Sequence, residues 1–315
     1  MSILTLTMNP TIDISTSADE VLPEKKLRCD KPQRDPGGGG INVSRAIYRL
    51  GGKSVACYAY GDAPGDHLNQ LLEREGIERL PIKIEDSTRE SIAIIDRKEN
   101  SQYRFVMPGP EFTEEEWSGV LKKIENLEKK PNFIVASGSL PESVPDDFYA
   151  QLVKLGHKLD INIILDTSGK PLRLALKEEP FLIKPNIREF NTLIDRDIEN
   201  ADEIIEAGLE LLRDCRCRAI VVSLEGDGAV LISGDKAFQY RIPEVEVKSK
   251  IGAGDSMVAG LTHYLELGKE IRDAVRYGAA AGTAAVLTPG TELCRKEDAD
   301  RLYEQIEVRE YNGSK

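Results

Sequence analysis

Asn132-Phe133-Ile134-Val135-Ala136 and Ile161-Asn162-Ile163-Ile164-Leu165-Asp166 are two apolar runs flanking a helix-like stretch at 145–159. Near-continuous apolar runs of this length suit strands buried on both faces of a parallel sheet. The rhythm continues, and the spacing predicts strands at 132–136, 161–166, 181–183 and 218–223. Helices are expected between them at about 113–129, 145–159 and 201–214, which implies a parallel sheet with helices on both faces. A hairpin at about 228–241 follows, then helices at roughly 254–267, 270–287 and 296–306.

Upstream, Ile3 to Met8 is β-like, and Val55 to Tyr60 is a buried strand candidate. Between them, Pro36-Gly37-Gly38-Gly39-Gly40 leads into a helix with Ile41, Ala46, Ile47 and Leu50 on one side, stopped by Gly51-Gly52. A further helix is expected from about Pro64 to Glu75. Residues 80–107 differ: Ile82-x-Ile84, Ile92-x-Ile94 and Tyr103-x-Phe105 alternate with polar residues, which predicts antiparallel strands with one wet face. The expected organisation is one α/β domain over residues 1–315 with a small β insertion from about 12–34 and 82–107.

A net charge of -12 argues against a nucleic-acid surface, which needs a basic face to neutralise phosphates. It leaves room for a phosphorylated ligand, since a pocket needs only a few local cations and amides. Cys29, Cys57, Cys215, Cys217 and Cys294 form no zinc or thioredoxin spacing and are expected as free thiols, as in a cytoplasmic protein. No signal peptide or membrane span is expected. Nor do His67, His157 and His263 share a metal spacing.

Two glycine motifs fail on counting. Gly52-Lys53-Ser54 would need a P-loop glycine at the position of Ile47, and a dinucleotide fingerprint from Gly38 and Gly40 meets Val43. The segment Gly252-Ala253-Gly254-Asp255 opens an apolar helix instead. First-turn amides there lack intrahelical partners and favour negative charge, so they can stabilise a phosphoryl group in transfer. Asp255 can accept a proton from an attacking hydroxyl or simply cap the helix, and the residues alone leave both readings open. Gly37 to Asn42 is either a sugar-binding loop, with Asn42 on hydroxyls, or a flexible turn. Ser137-Gly138-Ser139-Leu140-Pro141 and Lys184-Pro185-Asn186-x-x-Glu189 each end a predicted strand at its carboxyl end, where open α/β sheets bind ligands. Asn186 and Glu189 suit Mg²⁺ or its waters, while Glu189 also fits an ordinary helical carboxylate. Lys26, Arg28, Arg89 and Arg104 cluster in the β insertion, as a lid over a sugar phosphate requires.

The order of these segments over nearly the whole chain resembles the PfkB (ribokinase-like) carbohydrate kinases. Gly38-Gly39-Gly40-Ile41-Asn42-Val43-Ser44, continuing to Gly51 and Gly61, is similar to the family's first signature, and Gly252-Ala253-Gly254-Asp255 to its second. The resemblance is strongest to the family's bacterial 6-phosphofructokinase branch, through Lys26-Leu27-Arg28-Cys29, Gln102-Tyr103-Arg104-Phe105 and Ser256-Met257-Val258. Gly39 stands where the fructose-1-phosphate kinases of the family usually carry lysine.

This resemblance implies a three-layer α/β/α sandwich with a β-sheet lid, and ATP-dependent phosphorylation of fructose 6-phosphate at its 1-hydroxyl. Tagatose 6-phosphate, fructose 1-phosphate or a silent sensor on the same fold are the rivals. It further implies Asp255 as base with the 252–255 amides as anion hole. Asp13, Gly38, Gly39, Asn42, Arg89 and Ser139 would hold the sugar, with Lys26 and Arg28 reaching its phosphate. Lys184, Asn186, Ser223, Gly226 and Gly228 would line the nucleotide site, and Asn186 with Glu189 would serve Mg²⁺. A K⁺ site is implied near Ser249, Ile251, Ala285, Thr288 and Gly290, and a homodimer through paired lids. Ser249-Lys250-Ile251 replaces the D-T-[TV] common before the second signature, and Glu225 stands where a glycine is usual.

Overall fold

The computed structural model describes residues 2–215 and 217–311. Its first elements are β1 (Ile3–Thr7), β2 (Thr11–Ala18), β3 (Gln33–Gly37), α1 (Gly39–Arg49), β4 (Val55–Tyr60), α2 (Asp62–Arg74), β5 (Glu78–Lys83), β6 (Arg89–Asp96) and β7 (Ser101–Phe105). Then come α3 (Glu114–Glu125), β8 (Phe133–Ser137), α4 (Phe148–Leu159), β9 (Asn162–Asp166), α5 (Gly169–Leu176), β10 (Leu182–Ile183), α6 (Ile187–Ile194), α7 (Ala201–Cys215) and β11 (Ala219–Ser223). The hairpin β12 (Ala229–Ser233) and β13 (Lys236–Arg241) precedes α8 (Ala253–Glu266), α9 (Ile271–Val286), α10 (Lys296–Tyr303) and β14 (Glu307–Glu310).

Ten strands form one sheet in the order β14-β13-β12-β11-β10-β9-β8-β1-β4-β5. From β11 to β5 neighbouring strands run parallel, while β12, β13 and β14 add antiparallel strands at one edge. Period-two alternation sends each strand's side chains to opposite layers. Ile134, Ala136, Ile163, Leu165, Ile220 and Val222 join a core shared with Val120, Phe148 and Ile204 of α3, α4 and α7. Phe133, Val135, Ile164, Ala219 and Val221 join the opposite core with Val43, Met257 and Val275 of α1, α8 and α9. The layers are therefore helix, sheet, helix, in the ribokinase-like arrangement that the resemblance implies.

α8 sits close to α9 because small residues line their contact. A Cβ on Gly278 would lie 2.7 Å from the Met257 carbonyl oxygen, and one on Gly260 would lie 2.8 Å from Ala281 Cβ. Gly278→Val should therefore push α8 away and destabilise the fold by about 2–4 kcal/mol in urea unfolding. An unchanged unfolding midpoint would show that this contact does not set the helix spacing.

A second sheet, ordered β3-β2-β6-β7, stands apart from the first. Its chain differs from the sequence reading in two respects. Glu78–Lys83, with Ile82, is not in this sheet but pairs in parallel with β4 as an edge of the main one. And β6 pairs with β2 in parallel, with only β7 antiparallel to it. The second difference fits the connectivity: β2 follows β1 and β6 follows β5, and those two strands run parallel within the main sheet.

Among the described residues no helix is long and apolar enough to cross a membrane. The five cysteines are free.

Candidate active site

The carboxyl ends of β1, β8, β9, β10 and β11 open on one cleft, and the second sheet overhangs it. Gly38 takes φ 111° where the chain turns from β3 into α1, a backbone region closed to most side chains. Gly39 follows so close to β8 that a Cβ would lie 2.2 Å from Ser137 Oγ and 2.9 Å from Gly138 N. The glycine loop is thus a close-packed cradle rather than a flexible turn. It brings α1 in so that Asn42 Nδ2 donates to Asp255 Oδ2 at 3.0 Å, across 213 residues of chain.

Asp255 lies in the first turn of α8, after Gly252 at φ 76°. No cap bond is made by its side chain or by Gly252, and the first intrahelical bond is Ser256 N–H to Gly252 O at 2.9 Å. The amides of Ala253, Gly254 and Asp255 consequently remain free of intrahelical acceptors. Burial pushes the Asp255 carboxyl up to about 7, helped by the nearby Asp166 and Asp13 charges and opposed by the Asn42 bond and Lys184. The residue itself keeps a partly open edge on the cleft.

Lys184 is only 4% exposed and pairs with Asp166 Oδ1 at 3.0 Å. Burial works against its charge, but Asp166, Glu189 and Asp255 outweigh it and raise its pKa. Its ammonium would lie 3.8 Å from a Cβ on Gly254, which places a cation beside the free amides of α8. Asp166 also accepts from Ser137 Oγ at 3.2 Å. The sequence reading missed Asp166, although the signal was there: it ends a strand in the same way as Ser139 and Lys184 follow theirs.

Asn186 and Glu189 hold each other at the start of α6. Its Oδ1 accepts from Glu189 N–H at 2.9 Å while Glu189 Oε2 accepts from Asn186 N–H at 2.8 Å, so the pair is a capping box at the start of α6. Asn186 thereby positions Glu189, and one lone pair of its Oδ1 is taken by the Glu189 amide. Burial raises the Glu189 carboxyl, the Asn186 amide lowers it, Asp166 raises it and Lys184 lowers it. Among the described residues no three His, Cys, Asp or Glu gather into a metal cluster. Ser223 bridges to Asn186, and the turn after it carries Gly226 and then Gly228 at φ 93°. Glu225, in that turn, pairs with Lys250 Nζ at 3.1 Å.

On the overhanging sheet, residues facing one way are Asp13, Arg89 and Arg104, by the registers Thr11↔Arg89, Asp13↔Ser91 and Ala93↔Arg104. Burial raises the Asp13 carboxyl, against the pull of Arg104 and Arg89. Arg89 donates to the carbonyls of Asn9 and Met107, both at 3.2 Å, and its buried Nε has no partner. Asn9 also donates to Ser139 Oγ at 3.1 Å, and so ties Arg89 to Ser139. Lys26 and Arg28 do not join this group: both are exposed on the loop between β2 and β3, and neither is among the charges acting on Asp13. A hollow of about 300 Å³ lined by His157, Asn162, Phe181 and Arg218 contains none of these residues.

Near the cleft, Ser249 Oγ donates to Gly290 O at 2.8 Å, and Thr288 Oγ1 to Ala285 O at 2.7 Å. Ile251 N–H donates to Ser249 Oγ at 3.2 Å, and Ser249 N–H donates to Val286 O at 3.4 Å, which sets this loop against the end of α9.

A buried carboxyl raised to about 7 beside free helix amides and a buried ammonium suits a phosphotransferase. The chain belongs to the pfkB family of carbohydrate kinases, whose profile matches residues 5–298. It is 39% identical over 302 residues to the ATP-dependent 6-phosphofructokinase isozyme 2 of Mycobacterium tuberculosis, covering 96% of this chain and 89% of that one. It is also 34% identical over 309 residues to the 1-phosphofructokinase of Borreliella burgdorferi, covering 98% of each. The solved structure of phosphofructokinase-2 from Escherichia coli in complex with potassium superposes with a TM-score of 0.92 at 37% identity, covering 96% of this chain and 98% of that one.

Proposed function

We propose that this enzyme transfers the γ-phosphoryl group of ATP to the 1-hydroxyl of fructose 6-phosphate, giving fructose 1,6-bisphosphate and ADP. The observation that carries the reading is Asp255, held by Asn42 of the sugar-type loop and raised to about 7 beside the free amides of α8. Asp255 takes the proton of the attacking hydroxyl, and the amides of residues 252–255 with Lys184 receive the charge on the transferring group. Asp13, Gly38, Gly39, Asn42, Arg89 and Ser139 bind the sugar. Ser223, Gly226 and Gly228 line the nucleotide side, where Lys184 and Asn186 also stand. Relatives named 6-phosphofructokinase, and glycine at 39, favour fructose 6-phosphate.

Glu189 fits a divalent cation: its carboxyl is half-buried and crowded by Asp166, a like charge that such an ion relieves. Mg²⁺ bound there would offset charge on the ATP phosphates. The carbonyls of Ala285 and Gly290 with the hydroxyls of Ser249 and Thr288 are a hard-oxygen set fit for K⁺.

The lid supports a homodimer. Its face away from the cleft carries Ile14, Ile92, Ile94, Tyr103 and Phe105 in cross-strand register, with Tyr103 42% and Phe105 48% exposed. An apolar sheet face left open in this way calls for a second copy.

ADP release with ATP and Mg²⁺ on fructose 6-phosphate, tagatose 6-phosphate and fructose 1-phosphate tests the assignment. Fructose 6-phosphate should give the highest kcat/KM, falling about tenfold per pH unit well below pH 7 as Asp255 takes up a proton. A higher value on either other sugar overturns the substrate, and turnover on none of them favours a sensor.

A further inference from the structure

Asn42 can hold Asp255 only in one of its two amide orientations, because its NH₂ must face the carboxylate and its oxygen must face away. That oxygen meets Arg45, whose Nη1 donates to Asn42 Oδ1 at 3.3 Å. A guanidinium has donors only, so the flipped amide would set NH₂ against N–H on one side and oxygen against carboxylate on the other. Arg45 is itself fixed. It is 3% exposed, its Nε and Nη2 make a two-bond pair with Glu75 at 2.7 Å each, and Nη1 also donates to Pro36 O at 3.0 Å. Pro36 directly precedes the glycine cradle.

We infer that Arg45, anchored by Glu75, is a positioning residue for phosphoryl transfer: it locks the Asn42 amide so that its NH₂ faces Asp255, and fixes the entry to the 37–40 loop. The inference rests on the reading of Asp255 as proton acceptor. Loss of the lock frees the amide to turn, and Asp255 then loses the one hydrogen bond that favours its anion. The remaining charges that face it are Asp166 at the end of β9, Lys184 after β10 and Asp13 of β2; the Arg45 charge lowers the Asp13 carboxyl, an effect that Arg45→Lys keeps.

The experiment compares kcat against pH for Arg45→Met, Arg45→Lys and Glu75→Gln, with Asp255→Asn beside them. Arg45→Met should lower kcat by about 10–100-fold and move the acid limb upward by roughly half a pH unit or more. Arg45→Lys keeps the charge without the planar fork, and should show the same shift more weakly. Glu75→Gln still accepts from Arg45 and should leave the limb in place. A wild-type acid limb in Arg45→Lys would overturn the inference in favour of a charge effect. Equal losses of kcat in Arg45→Met and Glu75→Gln with no shift would make the residue structural. Should Arg45→Met not fold, the acid limbs of Arg45→Lys and Glu75→Gln still separate the two roles. Near-normal turnover in Asp255→Asn is a different failure, that of the reading of Asp255 itself.

Discussion

Asp255→Asn should cut kcat by roughly 10²–10⁴ while making the protein more resistant to heat at pH 8. The two effects have one cause. Burial raises the Asp255 carboxyl to about 7 from the ordinary 3.8, so the native state prefers it protonated. For a raised carboxyl the favourable contribution is complete below the unfolded value and is lost as pH rises through about 7. At pH 8 the wild type therefore carries a buried anion, and asparagine does not. The full shift corresponds to about 4 kcal/mol, and water at the open edge of the cleft reduces this to roughly 1–3 kcal/mol, or several degrees in Tm. At pH 5 the carboxyl is protonated in the fold but still ionised in the unfolded chain, so the difference should fall to roughly a third and vanish only below 3.8. Asn42 can still donate to the new amide oxygen, so sugar binding should be largely kept. Thermal scans at both pH values with steady-state kinetics decide the matter. Unchanged Tm at pH 8, or near-normal turnover, would remove Asp255 from its role.

Asp255 was visible in the sequence through its company, a glycine loop far upstream and the strand-end Lys184-Pro185-Asn186, since alone it also reads as a helix cap. The strand–helix rhythm from Phe133 to Ser223 was visible because buried parallel strands are apolar on both faces. The edges were not. Leu80 to Lys83 alternates between half-buried and exposed because it lies in the outer strand of the main sheet, and this gives it the period of an antiparallel strand. Gln33–Gly37 and Glu307–Glu310 have almost no apolar residues, since each pairs on one side only. The short helices α5 and α6 begin at Gly169-Lys170-Pro171 and just after Lys184-Pro185-Asn186, sequences that read equally well as turns.

The site was legible residue by residue but not in its couplings. Lys26 and Arg28 share the insertion with Arg89 but lie exposed on the loop between β2 and β3, and alternation along strands decides only which strand residues meet. Asp13, Arg89 and Arg104 share a face by register, whereas the loop carrying Lys26 and Arg28 has no register to follow. Asp166 and Arg45 show the reverse. Asp166 belongs to no glycine motif and Arg45 directly follows the Gly38 to Ser44 stretch of one, and each matters through the group it holds: Asp166 through Lys184, Arg45 through Asn42.

Lys184→Met tests the strongest of these couplings. Its ammonium, paired with Asp166 at 3.0 Å, is the one cation among the charges acting on Asp255, with Asp166 and Asp13 opposing it. Removing one partner of a buried pair leaves an uncompensated charge, which costs about 3–5 kcal/mol. The loss should be larger at pH 8 than at pH 5, because Glu189 and Asp255, both already raised, can shed their charge by taking up protons as pH falls. Adding Asp166→Asn to Lys184→Met should restore much of the stability, since the neutral pair leaves no buried ion at that point. Activity should not return with it. The cation beside the α8 amides is still missing, and kcat/KM should stay about 10²–10³-fold down in the double variant. Recovery of turnover together with stability would mean that Lys184 serves the fold alone. Equal destabilisation at both pH values, with no recovery in the double variant, would mean that the carboxyls of this cleft do not share a single counter-ion.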